Sequence, residues 1–266
     1  MNDILFAFLL TLIAGLATGI GGLVVVFSNI NNKKFLSVCL SFSAGVMIYI
    51  SFAEIFLEAA ESLEYVYGDG AGYLILTLSF FAGIAIMAVI DRFIPDDEAH
   101  TELLDESHNE KGKLKRTGIS STIAIAIHNL PEGLITFMAA LYDPAMGIAI
   151  AIAIIIHNIP EGIAVAAPIY HATGSKAKAF LVSIGAGLTE PLGAMIAWLL
   201  FRNIFEYADG TFGIVFAAIG GIMVFVAIHQ LLPTAQKYGK HHLVMKWLFA
   251  GMAVMAVSLV ALEFAL

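Results

Sequence analysis

Two hexapeptides, His128-Asn129-Leu130-Pro131-Glu132-Gly133 and His157-Asn158-Ile159-Pro160-Glu161-Gly162, lie inside long apolar stretches of the chain. An ionisable group at the centre of a membrane helix costs roughly 2.5–3.5 kcal/mol on insertion scales. The same expensive set placed twice argues for a binding site. On a helix, residues three and four apart share a face. Glu132 therefore lies between the direction of His128 and that of Asn129, which diverge by about 100°. Glu161 stands in the same relation to His157 and Asn158. Imidazole, carboxylate and amide together suit borderline divalent ions: Zn²⁺, and also Fe²⁺, Mn²⁺, Co²⁺ or Cd²⁺. Glutamates alone would favour Ca²⁺ or Mg²⁺, and the histidines argue against those. Cys39 is the only cysteine, so neither an internal disulfide nor a thiolate cluster is available.

Proline stands just before the glutamate in both motifs. A proline within a helix lacks the N–H that would bind the carbonyl four residues earlier, here Ile127 and Ile156. Such interruptions persist in membranes where they are buried in protein or line a wet cavity. A third glutamate, Glu190, also precedes a proline and is expected to join the first two. Met47, Glu54, His229 and Gln230 are weaker metal candidates. Methionine is a common core gap-filler, Glu54 sits near a span end, and a lone histidine or amide more often bonds helix to helix than binds an ion. The segments 52–59 and 228–235 resemble one another faintly, which hints at an internal repeat.

These residues need helices to position them. With 60% hydrophobic and 13% charged residues, the chain lies far from the soluble norm of about 25% charged. Its apolar runs are long enough to cross a hydrocarbon layer, which takes about 20 residues. The expected fold is all-α, a polytopic membrane protein with eight transmembrane helices in one bundle. The spans are placed near 4–27, 36–59, 72–94, 117–141, 146–170, 177–201, 211–234 and 244–264. Residues 1–266 then form one membrane domain, with no room for a soluble one and nothing suited to nucleic acid. The first span lacks a small-residue cleavage site and is expected to be retained. A short turn at Tyr142-Asp143-Pro144 makes the two motif-bearing helices antiparallel, with their motifs at one depth.

Of the 13 Lys and Arg residues, 12 fall on odd-numbered connections and only Arg202 on an even one. The positive-inside rule puts the odd connections in the cytoplasm and both termini outside. The third connection, about 95–116, is acidic and then basic without apolar periodicity, and reads as a flexible linker. Its His100 and His108 are assigned no role in the pathway. Glu58, Glu61, Glu64 and Asp69 mark an outer acidic stretch, read first as a surface helix end and more sharply as a cation-attracting mouth.

With the paired motifs in hand, the chain resembles the ZIP family of divalent metal transporters, most closely its bacterial branch. The likeness covers eight spans, outward termini, a variable third connection and the motifs of spans four and five. It implies import of divalent metal, zinc foremost, across the cell (inner) membrane. It also implies a binuclear site of His128, Asn129, Glu132, His157, Asn158, Glu161 and Glu190. The metal is then cargo, the partners are metal ions and the lipid bilayer, and no separate cofactor or enzymatic activity is expected. A homodimer is compatible with this picture. Two departures stand out: the third connection lacks the His-rich cluster of many members, and His229–Gln230 stand where relatives often carry an acidic residue.

The rival reading from another class is an intramembrane metal-dependent hydrolase, with Glu132 or Glu161 as general base. No His-Glu-x-x-His pattern is present to support it. A purely structural metal site would not need carbonyls freed beside it. The loop asymmetry makes a direct prediction: a cysteine introduced at Ser107 reacts only with reagent on the cytoplasmic side, and one appended after Leu266 only from outside. Labelling of position 107 from outside would contradict this orientation.

Overall fold

The computed structural model describes residues 3–28, 33–93, 110–202 and 208–265, and these are helical with no strand among them. Eight helical stretches are long and apolar enough to cross a membrane: Asp3–Phe27, Lys33–Tyr67, Asp69–Asp91, Thr122–Tyr142, Pro144–Thr173, Lys176–Phe201, Gly210–Tyr238 and His241–Glu263. The protein is a multi-pass membrane protein.

Local chemistry sets the junctions. The fifth span starts at Pro144, whose fixed φ suits a first helical position, after Asp143, whose side chain accepts from the Ala145 N–H at 2.8 Å. The span stops at Gly174, in the left-handed region at φ 66°. Ser175 then caps the sixth span by accepting from Lys178 N–H at 3.3 Å. That span is two helices, Lys176–Gly187 and Thr189–Phe201, joined at Leu188. Pro191 cannot donate to the Gly187 carbonyl, and the interruption puts Glu190 in the first turn of the second half. The fourth and fifth helices carry on through Pro131 and Pro160.

Two boundaries differ from expectation. The second span continues to Tyr67, so Glu58, Glu61 and Glu64 lie on its C-terminal helical end, Phe56–Tyr67. The fourth helix begins at Glu110, within the stretch expected to be linker, because Glu and Lys are good helix formers once a span follows. Residues 94–109, with His100 and His108, lie outside the described residues.

The faint repeat takes structural form. Both of its segments begin in π-helical turns, Ser51–Ile55 and Ala227–Leu231, in the second and seventh spans. The packing follows the same exchange: the second span lies on the eighth as the third lies on the seventh, and the first lies on the fifth as the fourth lies on the sixth. π turns inside long helices frequently accompany functional sites.

Glycines divide the eight spans into two groups. A Cβ at Gly15 would press on the Gly187 carbonyl, at Gly21 on that of Ile159, and at Gly193 on that of Leu130. These contacts, with Gly133 and Gly162, lock spans one, four, five and six together. Gly45 against Leu248 and Gly251 against Phe42 lock the second span to the eighth, Gly83 against Ala218 and Gly221 against Phe80 lock the third to the seventh, and Gly72 against the Leu63 carbonyl joins the two pairs. Close backbone approach through small residues is how membrane helices gain dispersion energy where lipid offers no hydrophobic drive. Gly193→Ala should therefore lower the thermal unfolding midpoint in detergent by several degrees, since overpacking costs about 1–3 kcal/mol. Gly185→Ala, which faces open space, should leave the midpoint unchanged. Equal midpoints for the two variants would contradict the locking role.

Candidate metal site

The antiparallel fourth and fifth spans bring their motifs together as a crossed pair. His128 Nε2 lies 3.2 Å from Glu161 Oε2, and His157 Nε2 lies 3.3 Å from Glu132 Oε1. Each imidazole thus meets the carboxylate of the other helix. All four side chains are buried. One ligand atom each from Glu132, His157 and Glu161 falls within 4.8 Å of the others, a spacing that could hold a metal ion.

The amides extend the cluster toward the first and sixth spans. Asn158 Nδ2 donates to Glu190 Oε1 at 2.5 Å and to the Ala14 carbonyl at 3.0 Å. Asn129 Nδ2 donates to the Ala186 carbonyl at 3.3 Å. Both amide nitrogens are thus engaged, that of Asn158 by Glu190 itself, and each amide oxygen is left without a partner. The motif glycines allow this proximity. Gly133 abuts the Glu190 backbone and Gly162 abuts the Thr18 carbonyl, so a larger residue at either position would push the helices apart.

Donors and acceptors do not balance here. Glu132 Oε2, Glu190 Oε2, Asn129 Oδ1 and Asn158 Oδ1 are buried without a hydrogen-bond partner, as is Nδ1 of both His128 and His157. Buried acceptors without donors are costly, by about 1–3 kcal/mol each, and carboxylates cost more. Three carboxyl groups, two amide oxygens and two imidazoles offer ligands to a cation and little else. That donor set fits borderline divalent metal.

The weaker candidates are placed differently. Met47 is fully buried in the apolar core, and its carbonyl accepts from Ser51. Glu54 sits half-buried in the π turn of the second span. His229 is 58% exposed, stacks on Phe225, and places Nδ1 3.3 Å from Asp91 Oδ2. Gln230 donates to Asp91 Oδ1 at 2.7 Å. The His229–Gln230 pair thus belongs to a second polar group at the end of the third span. A cavity of about 60 Å³ is lined by residues of both regions. His128 and Gln230 line it, and Leu36, Pro168 and Tyr238 carry it toward the ends of the spans that lead into odd-numbered connections.

Sequence reasoning passed over two side chains. Ser43, from the second span, donates to Glu161 Oε1 at 3.0 Å. Asp91 closes an otherwise apolar helix, a position that could have drawn attention to it.

Buried imidazole–carboxylate pairs between two of eight apolar helices, with a cavity beside His128, mark a multi-pass membrane protein with a candidate cation site. Comparison with known proteins gives the family. The family model described as ZIP Zinc transporter matches residues 94–259. The protein named Zinc transporter ZupT of Clostridium perfringens is 54% identical over 97% of this chain and 96% of its own length. Proteins of the same name from Chlorobaculum parvum and Streptococcus mutans are 52% and 50% identical, each over 97% of this chain and 98% of their own. The chain belongs to the ZIP family, whose matched members are named as transporters rather than enzymes.

Proposed function

We infer that this protein carries divalent metal ions across the membrane, with zinc as its principal cargo, and delivers them to the cytoplasm. The observation that supports this most is the buried surplus of oxygen acceptors around the crossed His–Glu pairs. The named function of relatives about 50% identical over nearly the whole chain points the same way. The direction rests on the loop charges: the cavity leaves His128 toward the connections that carry 12 of the 13 cations, and those face the cytoplasm under the positive-inside rule. In a bacterial cell the membrane is the inner one, and both termini lie outside.

His128, Asn129, Glu132, His157, Asn158, Glu161 and Glu190 hold the ions in this reading. Two neighbouring positions share the bridging carboxylates of Glu132 and Glu161. The first uses the imidazoles and prefers borderline metals. The second uses Asn129, Asn158 and Glu190, has only oxygen ligands, and is weaker and less selective. An arriving cation takes the place of the proton or hydrogen-bond donor at each histidine–glutamate contact, and its charge offsets the carboxylates that the apolar surroundings disfavour. Gln230, its amide nitrogen held by Asp91, offers its oxygen to an ion leaving along the cavity.

The test is ⁶⁵Zn uptake into proteoliposomes. Glu132→Ala and Glu161→Ala should each reduce uptake to background while the variants remain inserted and monodisperse. His128→Ala should weaken zinc affinity more than Asn129→Ala. Near-normal uptake by either glutamate variant would overturn the assignment.

A further inference from the structure

Serine and threonine hydroxyls in this bundle mostly return to their own helix. Thr11, Ser41, Ser51 and Thr136 donate to the carbonyls of Ala7, Ser37, Met47 and Glu132, each four residues back. Such back-bonding satisfies a hydroxyl locally and needs no partner helix. Ser43 lies between Ser41 and Ser51 on the same span and behaves differently. It is fully buried and donates across to Glu161 Oε1 at 3.0 Å.

That bond crosses between the two glycine-locked groups, since Ser43 belongs to the second span and Glu161 to the fifth. It also separates two carboxylates that are otherwise equivalent. Glu161 has both oxygens engaged, Oε1 by Ser43 and Oε2 by His128. Glu132 has Oε1 beside His157 and Oε2 with no donor. A hydrogen bond to a carboxylate is stronger than one between neutral groups, and it fixes orientation as well as energy.

We propose that Ser43 is a positioning residue for the transported ion: it pins Glu161 so that Oε2 faces the imidazole side, and leaves Glu132 as the carboxylate that swings. This rests on the metal-transport reading above. A pinned ligand meets the ion with less ordering to lose, so its effect falls on affinity. The free carboxylate can follow the ion as it moves on. The dependence on a residue from the other group of spans ties the quality of the site to the packing between the groups.

Zinc uptake measured against concentration in proteoliposomes tests this with native protein, Ser43→Ala, Ser43→Thr and Ser41→Ala. Ser43→Ala should raise KM roughly tenfold, the scale of one lost hydrogen bond to a charged group, with the maximal rate near native. Ser43→Thr, which keeps the hydroxyl, should restore KM, and Ser41→Ala should not alter it. A native KM in Ser43→Ala, or a fall in maximal rate with KM unchanged, would overturn the proposal. If Ser43→Ala fails to insert, equilibrium zinc binding to Ser43→Gly in detergent decides: several-fold weaker binding supports the role and native affinity refutes it. Absence of uptake by the native protein would instead count against the transport reading itself.

Discussion

A surplus of buried acceptors is the constraint on which the rest of this molecule depends. Glu132, Glu161 and Glu190 are fully buried among helices with few donors to offer them. The two histidines satisfy one oxygen each, Ser43 a third and Asn158 a fourth, and Glu132 Oε2 and Glu190 Oε2 remain. An isolated chain could relieve this by exposing the carboxylates or by replacing them with apolar residues. The bundle does neither. It holds them with small residues behind each motif: Gly133 at the Glu190 backbone and Gly162 at Thr18. Such an arrangement is costly unless a cation or proton balances the carboxylates.

The same architecture explains how a rigid site can sit in a molecule that must let ions through. The metal-binding candidates of spans four, five and six share one glycine-locked group with the first span, whose Ala14 carbonyl holds Asn158. The other group supplies the π turns, the Asp91–His229–Gln230 cluster and Ser43. Large side chains, among them the stacked pair Tyr142 and Phe212 at 4.1 Å, meet between the groups where glycines do not. Close backbone approach through glycines makes the contact within each group, and side chains make it between them.

Much of this was legible in the sequence for a physical reason. Ionisable residues inside apolar runs are improbable without partners, so the two hexapeptides and Glu190 announced themselves, and helical spacing predicted that each glutamate would stand between two neighbours. The antiparallel turn at Tyr142-Asp143-Pro144 was visible, but spacing set each glutamate beside the histidine of its own motif, and only the packed helices show the crossed pairing. The role of Ser43 was not legible. A serine in a membrane helix can satisfy itself on its own backbone, as Ser41 does, and only tertiary packing reveals that Ser43 does not. Nor does spacing determine which way the seventh span rotates, so His229 could be expected near the site and is found exposed beside Asp91. The second span's expected end at residue 59 fell short of Tyr67 because its glutamates, though read as a surface helix end, broke the apolar run that marks a span.

The account stands or falls on where the ions rest. Anomalous diffraction at the zinc edge from zinc-loaded crystals measures that directly. Two peaks between the fourth and fifth spans, bridged by Glu132 and Glu161, with the histidines on one and Asn129, Asn158 and Glu190 around the other, are the expected result. A single peak with the asparagines remote would contradict the paired site, and no peak within coordination distance of either glutamate would contradict the account as a whole.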